Sequence, residues 1–241
     1  MSAVPADRGV VVQMPLFGDG QPRSAVLHHD VHAISIPARA FTGDFYLTHR
    51  EDDGLWFALG DVAGKGLPAA LVMAMIQEEL EHRIVSCATT GCDPGITMSR
   101  LHTFLKPLVA RNRFATAVIG NLNTDGVLAI TNAGHCPPLI VRANGQIEEV
   151  ASTGPVLGIL ASSEWRTFRT RLGPGETVVL YSDGAVEARS SDGEEFGVHR
   201  IAGALSVGAP KEIAEGIVAA VERHSGGVRE DDLTVVVVRR G

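Results

Sequence analysis

The chain has 241 residues, 45% hydrophobic and 20% charged, the balance of an ordinary globular protein with ample apolar material for a core. Twenty-one Lys and Arg against 28 Asp and Glu leave a net charge of −7; with no dense basic run, this argues against a nucleic-acid surface or an anionic-membrane anchor. The longest mainly apolar stretch, Pro68 to Ile76, falls far short of the ~20 residues a bilayer span needs.

The N-terminus has no continuous apolar leader, and its residues 1–22 mix short apolar clusters with Pro, Gly and Asp. They are expected to form an arm or linker ahead of a single catalytic domain, 23–241. Residues 25–36 alternate loosely, as a strand does. The runs 43–50 and 55–62 flank Glu51-Asp52-Asp53-Gly54, a good hairpin turn. Over 67–86 the period changes: Leu67, Leu71, Met75 and Leu80 recur at helical spacing, and Pro68 suits a first turn. A second helix is expected over 97–111, kinked or ended by Pro107. Strand signals then dominate, at 114–122, 127–132, 138–142, 146–150, 165–172 and 176–181. Turns at Asn123-Thr124-Asp125-Gly126 and Asn144-Gly145 separate some of them. Helices are expected at 198–206 and 210–223, and Leu233–Arg239 reads as a buried β-branched strand. Regular βαβ alternation is missing, so the class is α+β, with antiparallel sheets packed on one another and flanked by helices. Three cysteines cannot all pair, and Cys87 and Cys92, spaced C-x4-C, fit no common zinc or redox motif. A reduced, cytoplasmic protein is the expectation.

The hairpin sets a register. A turn centred between Asp52 and Asp53 places Asp44 opposite Asp61 on adjacent strands, with Cα atoms about 4.5–5.5 Å apart. Like charges so placed destabilise a sheet, and a divalent cation bound by hard oxygen ligands would compensate. Asp183 ends the apolar strand before it, inside Tyr181-Ser182-Asp183-Gly184, and Asp231-Asp232 precede the last strand. One acid at a strand end is commonly a turn former. Four such stations on one antiparallel scaffold point instead to a carboxylate site, and carboxylates with few nitrogen or sulfur ligands select Mg²⁺ or Mn²⁺.

These residues carry a family resemblance. In chain order the motifs are Thr42-Gly43-Asp44-Phe45-Tyr46, Leu59-Gly60-Asp61-Val62-Ala63-Gly64-Lys65-Gly66, Phe114-Ala115-Thr116, Asn132-Ala133-Gly134-His135, Pro155-Val156-Leu157-Gly158, Leu180-Tyr181-Ser182-Asp183-Gly184, Phe196-Gly197 and Asp231-Asp232-Leu233-Thr234. The chain resembles the SpoIIE-like serine phosphatase branch of the metal-dependent (PPM, type 2C) protein phosphatases, from about residue 25 to the end. The resemblance implies a type 2C phosphatase-like αββα sandwich with a dinuclear Mn²⁺ or Mg²⁺ centre at one edge. It implies that Asp61 bridges both ions, that the Val62 carbonyl is a backbone ligand, and that Asp183 and Asp231 hold the second ion. Asp44 would bind directly or through water, and Asp232 is the neighbouring alternative to Asp231. The implied reaction is hydrolysis of phosphoserine or phosphothreonine by a metal-activated water. The implied substrate is a STAS-type anti-sigma-factor antagonist in a partner-switching or stress response. Arg39 and Lys65 are the candidates for the substrate phosphate. Thr42, Leu47 and Cys136 stand where the family usually has Gly, a polar residue and Pro, and none of these removes a ligand.

Rival chemistry fits less well. Gly60-x-x-x-Gly64-Lys65-Gly66 lacks both the spacing and the Ser or Thr of a P-loop. His135-Cys136-x5-Arg142 matches the loop of cysteine-dependent phosphatases in form. Pro137 and Pro138, however, lack the N–H donors that chemistry needs, and Leu139-Ile140-Val141 reads as a strand. No G-x-S-x-G elbow is present. The competing class is a partner-binding regulatory module that keeps the fold with little turnover. With so short an arm, control is expected from an activating partner or a homodimer docking near the helices at 67–86 and 97–111.

Overall fold

The computed structural model describes residues 29–90, 93–108, 114–160, 163–205 and 208–241. The expected arm, the first residues of the 25–36 run and Cys92 lie outside the described residues.

In chain order the elements are β1 (Asp30–Ile36), β2 (Asp44–Glu51), β3 (Gly54–Val62), α1 (Leu67–Thr90), α2 (Pro94–Leu105), β4 (Ala115–Asn123), β5 (Val127–Ala133), β6 (Leu139–Val141), β7 (Ile147–Glu149), β8 (Phe168–Arg171), β9 (Thr177–Tyr181), α3 (Asp183–Val186), α4 (Gly197–Ala204), α5 (Pro210–Ser225) and β10 (Leu233–Arg239). They form two antiparallel sheets, ordered β1-β10-β9-β6-β7 and β2-β3-β4-β5-β8. Helices α1 and α2 cover the second sheet, and α5 covers the first. The expected αββα sandwich is the observed fold.

Period-two alternation explains why the central strands are apolar on both faces. In β3, Leu55, Phe57 and Leu59 enter the core between the sheets, while Trp56, Ala58 and Val62 pack under α1 and α2. In β10, Val236 and Val238 take the inter-sheet side, and Leu233, Val235 and Val237 meet α5.

At three points the structure departs from these expectations or adds to them. Helix α2 begins at Pro94, three residues before the predicted start, because Asp93 caps it: its side chain accepts the Gly95 N–H at 2.8 Å and also holds Thr167 and Arg169. The helix ends at Leu105, ahead of Pro107. The short helix α3 was not anticipated, four residues being too few for a periodic signal. In α1 the stripe Leu67, Leu71, Met75 is exposed, Leu71 by 58%; the buried stripe is Ala69, Val72, Ile76, Leu80 and Ile84. Two apolar stripes share this helix, and periodicity alone does not say which one faces the sheet.

Candidate active site

Antiparallel pairing of β2 and β3 places Asp44 opposite Asp61, the register predicted from the turn. Val62 closes the same strand, and its N–H bonds to the Gly43 carbonyl at 3.2 Å. Gly43 is required here by close approach. A Cβ at this position would stand 2.5 Å from Asp61 Oδ1 and 3.0 Å from the Val62 carbonyl oxygen, so these two oxygens lie side by side over a bare α-carbon.

The other sheet supplies the facing carboxylates. Asp183 follows β9 and Asp231 precedes β10, which are paired strands. Ser182 locks the junction. Its N–H bonds to the Thr234 carbonyl at 2.9 Å, and its hydroxyl donates to the Asp232 carbonyl at 3.0 Å and accepts from the Thr234 N–H at 2.9 Å. Gly184 presses on the same backbone: a Cβ there would lie 2.1 Å from the Asp232 carbonyl. Asp44, Asp61, Val62, Asp183 and Asp231 thus gather at one edge of the sandwich, two strand ends from each sheet.

Asp231 and Asp232 have different surroundings. The buried Asp232 carboxylate accepts the Ala38 N–H at 2.8 Å through Oδ1 and the Gly43 N–H at 3.1 Å through Oδ2. Both of its oxygens are engaged in pinning the β1–β2 loop. Asp231 is exposed; its Oδ1 accepts the Asp232 N–H at 3.0 Å and its Oδ2 lies 3.5 Å from Lys65 Nζ. Of the two, Asp231 is the solvent-facing carboxylate, held by one N–H and an exposed lysine and not by the loop. Lys65 sits between Gly64 and Gly66, both at positive φ, on the turn from β3 into α1. Arg39 is exposed on the loop pinned by Asp232.

The electrostatics are those of an anionic cluster. Burial, then Asp61, holds Asp44 well above the usual carboxylate range, against the opposing Thr234 and Ser182 hydrogen bonds. Burial, then Asp183 and Asp231, pushes Asp61 up to about 7. Burial and Asp231 raise Asp183. A cation would relieve all three. Among the described residues no three His, Cys, Asp or Glu side chains draw close enough to enclose an ion by themselves. Oxygen-only donors in ones and twos suit Mg²⁺ or Mn²⁺, since Mg²⁺ keeps several waters and takes one or two carboxylates.

The thiol alternative fails on geometry. Burial, with Asp183, Glu187 and Asp44 nearby, pushes the Cys136 thiol up to about 12. Arg142, the other end of that motif, is bound to Glu148 at 2.9 Å and Glu176 at 3.0 Å, at the end of β6–β9 away from Asp183. His135 is structural: Nδ1 pairs with Thr116 Oγ1 at 2.8 Å, and burial lowers its pKa to about 4.

The sequence motifs by themselves assign no role to Thr234 or Ser182, nor the anchoring role to Asp232. Thr234 Oγ1 donates to Asp44 Oδ2 at 2.6 Å, and the available signal was a hydroxyl opening a run of four valines.

The family model for stage II sporulation protein E (SpoIIE) matches residues 51–241. The chain belongs to this family of protein phosphatases. It is 29% identical over 233 residues to phosphoserine phosphatase RsbU of Bacillus subtilis, across 95% of this chain and 68% of that protein. It is 30% identical to protein IcfG of Synechocystis over 87% of this chain, but spans only 38% of IcfG. Among solved structures, the SiaA PP2C domain of Pseudomonas aeruginosa superposes with a TM-score of 0.78 at 22% identity, covering 88% of this chain and 86% of that one. RsbX in complex with magnesium superposes with a TM-score of 0.67 at 18% identity, covering 89% and 96%.

Proposed function

We propose that this SpoIIE-family domain, taken as residues 23–241, is a Mn²⁺- or Mg²⁺-dependent phosphoserine/phosphothreonine protein phosphatase. The observation that carries the reading is the convergence of Asp44 and Asp61 from one sheet with Asp183 and Asp231 from the other. Asp61, the Val62 carbonyl, Asp183 and Asp231 would hold two ions, with Asp44 bound directly or through water. Bound there, the ions would acidify a water and draw charge from the phosphoryl oxygens. The protein's own contribution is orientation. Thr234 fixes the Asp44 carboxylate, Asp232 fixes the loop that carries Gly43 and Arg39, and Ser182 fixes Asp183 against the start of β10. Arg39, exposed on the pinned loop, is available to a substrate phosphate, and Lys65 would reach one on turning away from Asp231 Oδ2.

By its similarity to RsbU, the substrate proposed is a phosphorylated STAS-type anti-sigma-factor antagonist in a partner-switching pathway, in a cytoplasmic setting. Among the described residues no helix is long and apolar enough to cross a membrane. Exposed Leu67, Leu71 and Met75 begin five residues after Val62, so an activating partner or second copy seated on α1 would act next to the site. The test is hydrolysis of p-nitrophenyl phosphate and of phosphorylated antagonist proteins, with chelator and with restored Mn²⁺. Activity that survives chelation overturns the metal reading; equal rates on antagonists and unrelated phosphoproteins overturn the substrate.

A further inference from the structure

A cavity of about 230 Å³ has Lys65, Gly184 and Asp231 in its wall, so it adjoins the carboxylate cluster. The rest of the wall comes from the end of α3 and from the turn between α5 and β10. That turn is fixed by its own backbone. The Gly227 N–H returns to the Glu222 carbonyl at 2.9 Å and the Val228 N–H to the Ser225 carbonyl at 3.2 Å.

The wall is mainly polar, and its charges do not balance. Each of its bases already has a carboxylate: Lys65 faces Asp231 at 3.5 Å, Arg229 faces Glu222 at 3.2 Å, and Arg189 is bound to Glu195. Glu187 and Glu230 belong to the same wall, and neither stands in an ion pair among the described residues. Both are exposed, so the two unmatched negative charges sit at the rim.

Deeper in, a second and independent feature asks for a donor. Ser225 is 7% exposed and lines the cavity. Its hydroxyl donates to the Glu222 carbonyl of its own helix at 3.5 Å, the outer limit of such a bond. No N–H or O–H among the described residues donates to its oxygen, which can accept two hydrogen bonds. Beside it the buried Val221 and Leu233 supply aliphatic floor. Acidic rim, buried acceptor and apolar floor together match one kind of side chain. Arginine carries an apolar stem, a positive charge and five N–H donors in a planar fork. The volume suffices, since a cavity of ~150 Å³ already accepts a benzene ring.

We infer that this cavity is a specificity subsite, receiving an arginine side chain of the phosphoprotein close in sequence to the phosphoserine, with Glu187 and Glu230 as the selecting residues. The inference rests on the phosphatase reading for the position of the phosphoserine, and its test is binding, so that the two fail separately. The probes are two fluorescein-labelled peptides carrying a non-hydrolysable phosphonate in place of phosphoserine. One has arginine at the positions on either side of it, the other citrulline, which keeps the shape and loses the charge. Both are titrated by anisotropy in Mn²⁺.

The arginine peptide is expected to bind wild type at least about five-fold tighter, ~1 kcal/mol. Glu187→Gln with Glu230→Gln is expected to bring the two peptides within about two-fold of each other. Asp52→Asn with Asp53→Asn removes the same charge from the turn at the far end of β3 and should leave the preference intact. Equal affinity of the two peptides for wild type overturns the subsite, as does a preference that persists in the glutamine variant. An equal loss in the turn variant also overturns it, because net charge would then be the cause. Should the double glutamine variant fold poorly, as judged by its melting temperature, each single variant takes its place and should lower the preference. Hydrolysis of p-nitrophenyl phosphate by wild type is scored separately: its absence overturns the phosphatase reading and leaves the binding result standing.

Discussion

Thr234 and Asp44 meet across the two sheets, the hydroxyl of one donating to the carboxylate of the other at 2.6 Å. Ser35 stands behind, its hydroxyl 3.0 Å from Thr234 Oγ1, so β1, β10 and β2 are tied together at the edge where the carboxylates collect. Removing the donor would leave a buried carboxylate short of a partner, which costs about 1–3 kcal/mol. Thr234→Val is expected to lower stability by that amount in chemical denaturation and to raise the Mn²⁺ concentration for half-maximal activity. Thr234→Ser, which keeps the donor, should restore both. If valine changes neither, the hydrogen bond does not orient Asp44.

Asp61 faces Asp44 within a strand pair and is raised by Asp183 and Asp231 from the other sheet. Such an arrangement trades stability for function. In metal-free protein, Asp61→Asn should raise stability by about 1 kcal/mol, the scale of a relieved like-charge cross-strand pair. The same variant should lose metal-dependent hydrolysis by roughly 100-fold or more, or ~2.7 kcal/mol of barrier. Melting temperatures with chelator and rates in saturating Mn²⁺ measure the two effects. A variant that is both less stable without metal and still active would contradict the assignment.

The site was legible in the sequence where strand geometry is local. The Asp44–Asp61 register followed from one four-residue turn, and the strand Leu233–Arg239 from its β-branched run. What depends on tertiary contact was not legible. Asp231 and Asp232 are adjacent acids of one motif, and only the approach of the Ala38 and Gly43 N–H groups separates an anchored carboxylate from an exposed one. Likewise, α1 carries two apolar stripes, and the choice of which is buried belongs to the sheet it packs on. The Asp93-Pro94 start of α2 was written in cap chemistry, but the helical period becomes clear only a turn later.

Cys136 tests the thiol alternative directly. With its pKa pushed up to about 12, roughly one molecule in 10⁵ carries the thiolate at pH 7, far below what a nucleophile requires. Cys136→Ser is expected to keep hydrolysis within about two-fold of wild type, and alkylation of folded protein by iodoacetamide should be slow. Rapid alkylation coupled to loss of activity would restore the cysteine mechanism.

His135 makes acid a specific threat to the fold. Its Nδ1 pairs with Thr116, which stands next to Asp61 in the β3–β4 register, and burial lowers its pKa to about 4 against an unfolded value near 6.5. Between those values the unfolded chain binds the proton and the folded protein does not, so stability rises with pH through this window. The contribution is fully present above about pH 6.5 and is lost as pH falls toward 4, amounting to about 3 kcal/mol. Asp44, Asp61 and Asp183, all raised, act with the opposite sign, since their charged forms are the ones the fold disfavours. They are common to wild type and a His135 variant and drop out of the difference. His135→Asn, which keeps a polar atom near the Nδ1 position, should be less stable at neutral pH and should lose this acid-side dependence. Denaturation of both proteins without metal at pH 7, 5.5 and 4.5 measures it. A stability difference that does not change with pH would mean that His135 is not held neutral in the folded protein.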